Sequence, residues 1–332
     1  AFTVGAVAST GGTVVANYWN STNTGVNVTV PVANDASLTG GTIQLRAKID
    51  SEAYANLGNA YTIQGSDLGS SVTISNTATT LEALSDGVAN TEVITVTAII
   101  TDTSSNATTG TASSTTLTVD QSAPTISETT VVPTPSTDTT PTVVMTSNQI
   151  GAISSPSGQT LTGDVTAEAS TNSVTFAALA DGTYGAVTLL VTDAAGNASN
   201  TLTLTSFTID NGAPSAFTVG AVASTGGTVV ANYLNSTNSG VSVTVPVAND
   251  ASLVSGTIQL QAKFNSGSYQ NVGSPATITD ADTNQAVTLT DDQIEALSGY
   301  AEDVVVTFTA IIADASGNTT TGTASSTTLT VD

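Results

Sequence analysis

The sequence predicts an all-β fold built from tandem sandwich-type domains. Three observations support this: residues alternate or are β-branched in short runs, turn-forming residues separate the runs, and the whole pattern recurs along the chain. TIQLRAKI at 42–49 and VITVTAII at 93–100 show the alternation of strands with one buried face. Clusters of Gly, Asn, Asp, Ser and Pro between such runs are typical of turns.

The repeats predict three domains of two kinds. Residues 1–45 return at 216–260 with few changes, and the ending TGTASSTTLTVD at 109–120 returns at 321–332. A shorter unit between them shares only its ending, VTDAAGNASNTLTLTSFTID at 191–210. We therefore predict a long-type domain at 1–120, a short-type domain at 121–210, and a near copy of the first at 211–332.

Each unit offers about seven strand-like runs over about 90–120 residues, which is the size of an immunoglobulin-like (Ig-like) sandwich. The predicted architecture is therefore a series of tandem Ig-like β-sandwich domains arranged end to end as a rod. A parallel β-helix needs a short constant period, which the sequence lacks. The helix candidates are single turns around Leu81–Leu84 and Ile294–Leu297. Trp19 is Leu234 in the second copy, which favours a packing role for this side chain.

Composition excludes several kinds of chemistry. The 332 residues include 3 Lys and Arg, 26 Asp and Glu, no His and no Cys, for a net charge of −23. No thiolate or imidazole is available as a nucleophile, a general base or a zinc ligand. So few cations argue against binding to a nucleic acid backbone. The ligand atoms that remain are carboxylate and carbonyl oxygens, which calcium prefers.

The acidic residues fall at the poles of the expected sandwiches. With seven strands A to G, strand G would end at Asp120, Asp210 or Asp332, and the loops between strands F and G (the FG loops, 102–106, 193–197 and 314–318) would lie at the opposite pole. We therefore expect Asp120 to meet Asp193 and Asp210 to meet Asp314. Asp102 is the candidate in the first FG loop, and other loops place further candidates at the poles, namely Asp35, Asp86, Asp138, Asp181 and Asp250.

Crowded carboxylates repel one another, and a Ca²⁺ ion with about 6–8 oxygen ligands would relieve the repulsion. The sequence therefore predicts calcium at each linker, followed by a proline, Pro124 or Pro214, that stiffens entry into the next domain. In the alternative interpretation, these Asp residues cap turns and keep the chain soluble.

The stretch ALADGTYGAVTLLVTDAAGNASNTLTLTSFTID, followed by NGAP, resembles the Ig-like repeats of giant bacterial surface adhesins. These include the RTX adhesins of Gram-negative marine bacteria and biofilm-associated proteins. The resemblance implies an extender region that projects a distal ligand-binding domain from the outer membrane, with calcium rigidifying the linkers. It also implies that Asp193 with Asp120, and Asp314 with Asp210, are linker ligands. Ser105 departs from the family's Asp-X-X-Gly-Asn pattern.

The expected function is thus that of a structural extender, with neighbouring repeats of the same chain as partners. We expect a monomer outside the cell, anchored to the outer membrane through other regions, with no nucleic acid partner and no membrane insertion in this segment. The alternative is a carbohydrate- or protein-binding adhesin module, which the 4% aromatic content and the near-identical outer units disfavour. An enzyme is not expected, because no acidic pair falls in a plausible cleft for glycoside hydrolysis.

Overall fold

The computed structural model describes residues 1–84 and 87–332. The chain forms two compact units, one of residues 1–130, 143–174 and 187–204, the other of residues 131–142, 175–186 and 205–332. The three predicted domain boundaries stay a prediction.

The first repeat copy is an Ig-like sandwich. Its strands are β1 (Val7–Thr10), β2 (Tyr18–Asn20), β3 (Gly25–Pro31), β4 (Thr42–Ile49), β5 (Ala55–Asn56), β6 (Tyr61–Thr62), β7 (Ser71–Thr77), β8 (Val93–Thr101), β9 (Ala107–Thr109) and β10 (Leu117–Asp120). One sheet has the order β1–β3–β7, and the other has the order β2–β10–β8–β4–β5, with β6 on β4 and β9 on β8. The short strand β2 runs parallel to the last strand β10. The order corresponds to strands A–B–E facing G–F–C, as in Ig-like sandwiches.

The period-2 pattern of the sequence explains the core of this copy. In β4, Ile43, Leu45, Ala47 and Ile49 are buried, while the residues between them point outward. Strand β8 pairs with β4 along its whole length, and it buries its own alternate residues. Burial of these apolar faces, at about 25 cal/mol per Å², is the main source of stability. Trp19 is fully buried in the same core, which confirms its packing role.

Residues 121–210 carry shorter strands. They are β11 (Ile126–Thr130), β12 (Thr142–Ser147), β13 (Gly151–Ser154), β14 (Leu161–Thr162), β15 (Thr166–Ala167), β16 (Thr171–Phe176), β17 (Gly182–Tyr184), β18 (Thr188–Thr192), β19 (Leu202–Thr203) and β20 (Phe207–Ile209). Their sheet orders are β11–β12–β16–β14, β15–β13–β18–β19 and β17–β20. The predicted strand F is present here as β18, and the predicted strand G is present as β19 and β20, whereas β17 lies in the predicted loop between strands E and F.

The last repeat copy reproduces the topology of the first. Its strands are β21 (Val222–Thr225), β22 (Tyr233–Leu234), β23 (Gly240–Val247), β24 (Thr257–Phe264), β25 (Gln270–Asn271), β26 (Ala276–Thr277), β27 (Thr283–Thr290), β28 (Val305–Ala313), β29 (Thr319–Thr321) and β30 (Leu329–Val331). The sheet orders are β21–β23–β27 and β22–β30–β28–β24–β25. The predicted fold class, all-β with tandem Ig-like sandwiches, is confirmed.

The two predicted helical turns exist but begin earlier than expected. They are α1 (Ala78–Glu82) and α2 (Asp291–Glu295), so each starts three residues before its predicted start. The reason is capping: the hydroxyls of Thr77 and Thr290 accept hydrogen bonds from backbone N–H groups three residues later. Short 3₁₀ turns lie at Ala36–Leu38, Gly65–Asp67 and Ala251–Leu253. In the described part of the chain, no helix has the length and hydropathy needed to cross a membrane.

Candidate functional site at the repeat junctions

All three FG loops are closed by the same hydrogen bonds. In the loop 193–197, one carboxylate oxygen of Asp193 accepts from the backbone N–H groups of Ala195 and Asn197, both at 2.9 Å. The other accepts from the Asn197 amide nitrogen at 2.9 Å. Asp102 and Asp314 bind their own loops in the same way. The carboxylate therefore holds each tight loop in shape, which is the turn-capping interpretation of these residues.

The first junction, within the first compact unit, comprises residues 20–21, residues 120–122 and the loop 193–197. Asn197 is its centre and is fully buried. Its amide nitrogen donates to the backbone carbonyl of Asp120 at 2.9 Å as well as to Asp193. Its amide oxygen accepts from the backbone N–H of Ser21 at 3.1 Å and from the Ser21 hydroxyl at 2.8 Å. An Asn side chain has two donors and two acceptor sites, so this one is fully satisfied.

The Ser21 backbone N–H also decides which way the Asn197 amide points. Amide nitrogen and oxygen are distinguished by their partners, and a backbone N–H donates only to an oxygen. The Asn197 oxygen must therefore face Ser21, and its NH₂ group must lie between Asp120 and Asp193. Asp120 and Asp193 are thus brought together as predicted, through an amide.

A small surface of the first copy receives this loop. We call residues 13–21 the docking face. Asn20 on this face donates to the carbonyl of Ala195 at 2.7 Å. A Cβ atom at Gly196 would lie only 2.9 Å from methyl groups of both Thr13 and Val15, and the φ of Gly196 is +88°. The contact requires glycine here, whereas the left-handed conformation only favours it, since Ser105 has a φ of +69° at the equivalent position of the first FG loop.

The second junction, within the second compact unit, comprises Asp181, residues 210–212 and the loop 314–318. The Asn318 amide nitrogen donates to the Asp210 carbonyl at 2.9 Å and to Asp314 at 3.0 Å, as Asn197 does at the first junction. The Ser316 hydroxyl donates to the Asp210 carboxylate at 2.8 Å. Asp314 itself is buried. Asp210 and Asp314 are therefore brought together as predicted, again with an Asn between them.

Each linker that follows a strand-G aspartate is held by its backbone N–H groups. In the second junction, the N–H of Asn211 donates to Asp181 at 3.0 Å and that of Gly212 donates to Asp210 at 3.3 Å. In the first, the N–H of Gln121 donates to Asn90 at 2.7 Å and that of Ser122 to Asp120 at 3.1 Å. Asn90 therefore does at the first linker what Asp181 does at the second. Both following prolines, Pro124 and Pro214, are buried.

At the second linker, two carboxylates of the described residues converge beside Gly212. A methyl group placed on Gly212 would lie 3.5 Å from Asp181 Oδ2 and 3.6 Å from Asp210 Oδ1. Both residues line a groove of about 470 Å³, together with Ser252 and Ser316. No three acidic side chains of the described residues form a group suited to hold a metal ion. The calcium prediction stays a prediction.

Three of the remaining predicted residues accept hydrogen bonds within their own loops. Asp35 and Asp250 cap the two 3₁₀ turns of the B–C loops by accepting from Ser37 and Ser252. Asp138 accepts from Thr140, in the A–B loop whose Ser136 accepts from the Asp210 backbone N–H. The backbone N–H of Asp332 donates to Leu234. Asp86 lies outside the described residues.

Asp35 and Asp102 in the first copy are close enough for the charge of one to act on the other. Hydrogen bonds from the Ser37 backbone and hydroxyl lower the pKa of Asp35 below its ordinary value, and the charge of Asp102 raises it slightly. The pKa of Asp102 is lowered chiefly by the bond from the Asn106 side chain, then by the Asn106 backbone. Hydrogen bonds to the charged form are the cause in both cases.

Sequence reasoning missed the amides that join the junctions, namely Asn20, Asn90, Asn197 and Asn318. A signal was present for two of them, because an Asn follows the loop aspartate by four residues in all three FG loops. No comparable signal marked Asn20 or Asn90.

No protein-family model matches the sequence, and no curated protein matches it. Among solved structures, the chain is similar to the chicken CNTN1 FN1–FN3 domains, at 12% identity and a TM-score of 0.33, covering 98% of this chain and 97% of that one. It is also similar to a crystallised segment of titin, at 10% identity and a TM-score of 0.38, covering 98% and 100%. Dimeric latent PorU from Porphyromonas gingivalis is 11% identical with a TM-score of 0.21, covering 95% of this chain and 32% of that one. The Ig-like assignment rests on the strand order and register of the chain itself.

Proposed function

We propose that the chain is a structural extender segment of a large bacterial cell-surface adhesin. Its Ig-like repeats would project a distal ligand-binding region away from the outer membrane, outside the cell, for adhesion or biofilm formation. The repeats of the chain serve as one another's partners, and the segment acts as a monomer without catalysis.

The observation that carries this proposal is the buried Asn197. A spacer must keep successive repeats in a fixed orientation, and loose linkers cannot do that. Asn197 binds the end of strand β10, the docking face and its own loop at once, so that bending at this point would break several hydrogen bonds. A buried amide without partners costs about 1–3 kcal/mol, which opposes such bending.

Calcium forms a second part of the proposal, and the two junctions differ in their fit to it. At the first, the Asn197 NH₂ group lies between the Asp120 carbonyl and the Asp193 carboxylate and donates to both, so it occupies the place that a cation would take. At the second, the carboxylates of Asp181 and Asp210 approach the same point beside Gly212. These two residues would hold a Ca²⁺ ion, which would offset the repulsion between their charges.

The extender role is tested by small-angle X-ray scattering of the whole chain. We expect one long, narrow distance distribution, and we expect Asn197→Ala to broaden and shorten it. A broad distribution in the wild-type chain would refute the role of a stiff spacer.

The calcium part is tested separately by hydrogen exchange with calcium and with excess chelator. Calcium should slow exchange of the Asn211 and Gly212 amides and leave those of Ser21 and Gln121 unchanged. Asp181→Asn with Asp210→Asn should abolish the response. If Asn211 and Gly212 exchange equally fast in both conditions, calcium has no part in the second junction, and the extender would depend on hydrogen bonds alone.

A further inference from the structure

The docking face of the first copy recurs in the last copy. Residues 228–236 repeat residues 13–21 with one change, Trp19 to Leu234, and that side chain points into the core in both copies. In the first copy the face is covered by the loop 193–197. In the last copy two of its residues are exposed: Val230 is 45% and Tyr233 is 42% accessible. Val15 and Tyr18, the counterparts of Val230 and Tyr233, are only partly accessible.

This second face already has the geometry that binding requires. Asn235 donates to the carbonyl of Thr228 at 2.9 Å and accepts from Thr237, just as Asn20 donates to Thr13 and accepts from Thr22. In the first copy, the Asn20 amide makes a further bond, to Ala195. The same amide hydrogen of Asn235 has no partner among the described residues, and neither has the backbone N–H of Ser236. Their counterparts in the first copy, the Asn20 amide and the Ser21 backbone N–H, hold the loop 193–197.

We propose that residues 228–236 form a docking site for an FG loop of sequence Asp-X-X-Gly-Asn, carried by an Ig-like domain of the short type found at 121–210. The Ser236 backbone and hydroxyl would donate to the Asn oxygen of that loop, and Asn235 would donate to the carbonyl of the residue before the Gly. A preformed face loses little conformational entropy on binding, which favours association.

The same geometry sets the specificity of the site. The fourth loop position must be glycine. In the first copy a Cβ atom there would meet methyl groups of Thr13 and Val15, and the last copy has the same residue types at these positions, Thr228 and Val230. The free FG loop of the first copy has Ser105 at this position. Residues 228–236 would therefore reject the loop 102–106 of another chain, so chains would not join head to tail through these residues.

The test is the full chain carrying a second copy of residues 121–210 after Asp332. We expect the Ser236 amide to exchange about tenfold or more slowly than in the unextended chain, because local opening must then precede exchange. Asn235→Ala in the extended chain should abolish most of this protection. Two matched controls replace residues of the appended segment: Ser at the counterpart of Gly196 and Ala at the counterpart of Asn197 should each restore fast exchange.

A second measurement does not depend on the appended segment. Ser105→Gly in the unextended chain should permit head-to-tail association, seen as a concentration-dependent rise in sedimentation coefficient that Asn235→Ala removes. The inference is overturned if Ser236 exchanges equally fast in both chains and Ser105→Gly leaves sedimentation unchanged. It is also overturned if the appended Gly-to-Ser control protects Ser236 fully. The Ser21 amide reports separately on the first junction, so failure here leaves the proposed extender untouched.

Discussion

Asn197→Ala should lower the stability of the first junction by more than Asn106→Ala lowers the stability of the loop 102–106, which makes no such junction. Asn197 makes four side-chain hydrogen bonds while fully buried. At about 1 kcal/mol for each net hydrogen bond, their loss costs about 3–4 kcal/mol. One of these bonds only closes the loop onto Asp193. The share that joins the first repeat to the loop is therefore about 2–3 kcal/mol.

Asn106→Ala is the matched control. Asn106 bonds to Asp102 at 2.8 Å just as Asn197 bonds to Asp193, but it lies in the free FG loop of the first copy. The difference between the two variants therefore isolates the contribution of the junction. The chain forms two compact units, so a single two-state transition cannot be assumed.

Native-state hydrogen exchange avoids that assumption, with the Gln121 amide as the reporter. This amide donates to Asn90 and loses no partner in either variant. A loss of 2–3 kcal/mol should accelerate its exchange by about 30- to 150-fold in Asn197→Ala, against little change in Asn106→Ala. If both variants accelerate Gln121 equally, the Asn197 amide does not hold the two repeats together.

Three further changes have clear expected outcomes. Gly196→Ser should destabilise its junction by about 1–2 kcal/mol more than Gly317→Ser destabilises the other, because both glycines have positive φ but Gly196 faces methyl groups at 2.9 Å and Gly317 faces none. Native-state hydrogen exchange of the amides in each junction measures the two losses, and equal losses would count against the close contact. Because the pKa of Asp102 is lowered in the folded chain, its contribution to stability is present above its ordinary value of 3.8 and is lost as the pH falls below that value through the folded pKa. Carboxyl NMR titration should therefore give a midpoint below 3.8 that Asn106→Ala moves upward, and an unmoved midpoint would contradict the assigned cause. Gly110→Ala should cost about 1–3 kcal/mol because its Cβ would lie 2.4 Å from the Phe2 ring, and Phe2→Leu should reduce that penalty in a double-mutant cycle.

The alternation of buried and outward-facing residues made it possible to predict the strands and which loops lie at each end of a sandwich. The alternation in TIQLRAKI marks one buried face, and the structure buries those residues. Counting strands from A to G then placed Asp120 and Asp193 at facing poles, and they do meet within 2.9 Å of one amide nitrogen. These inferences depend only on strand direction, which the number of runs determines.

The chemistry of the junction was not predictable in the same way. The sequence suggested that the carboxylate of Asp120 would face the loop, whereas its backbone carbonyl does. The orientation of the Asn197 amide depends on Ser21, which lies 176 residues earlier in the chain. No local pattern encodes such a contact, because it exists only once two repeats have packed together. The predicted starts of the helical turns were wrong for a simpler reason. At α1, capping by Thr77 sets the first residue, and the apolar spacing of LEAL does not.

The position of Asn197 suggests that, in a chain with a net charge of −23, an amide does what a cation would otherwise do. Its NH₂ group offers two donors to two facing oxygens without needing a metal. Asn197→Asp tests this idea, because the change replaces those donors with a carboxylate beside Asp193. We expect this variant to unfold at a lower temperature than Asn197→Ala in chelator, since charge repulsion is added to the lost bonds. In a chain that also carries Asp181→Asn and Asp210→Asn, so that the second junction cannot bind calcium, millimolar calcium should then raise the melting temperature of Asn197→Asp while leaving Asn197→Ala unchanged, because only the former presents converging oxygens. If calcium stabilises both variants equally, or neither, the amide is not occupying a position suited to a cation.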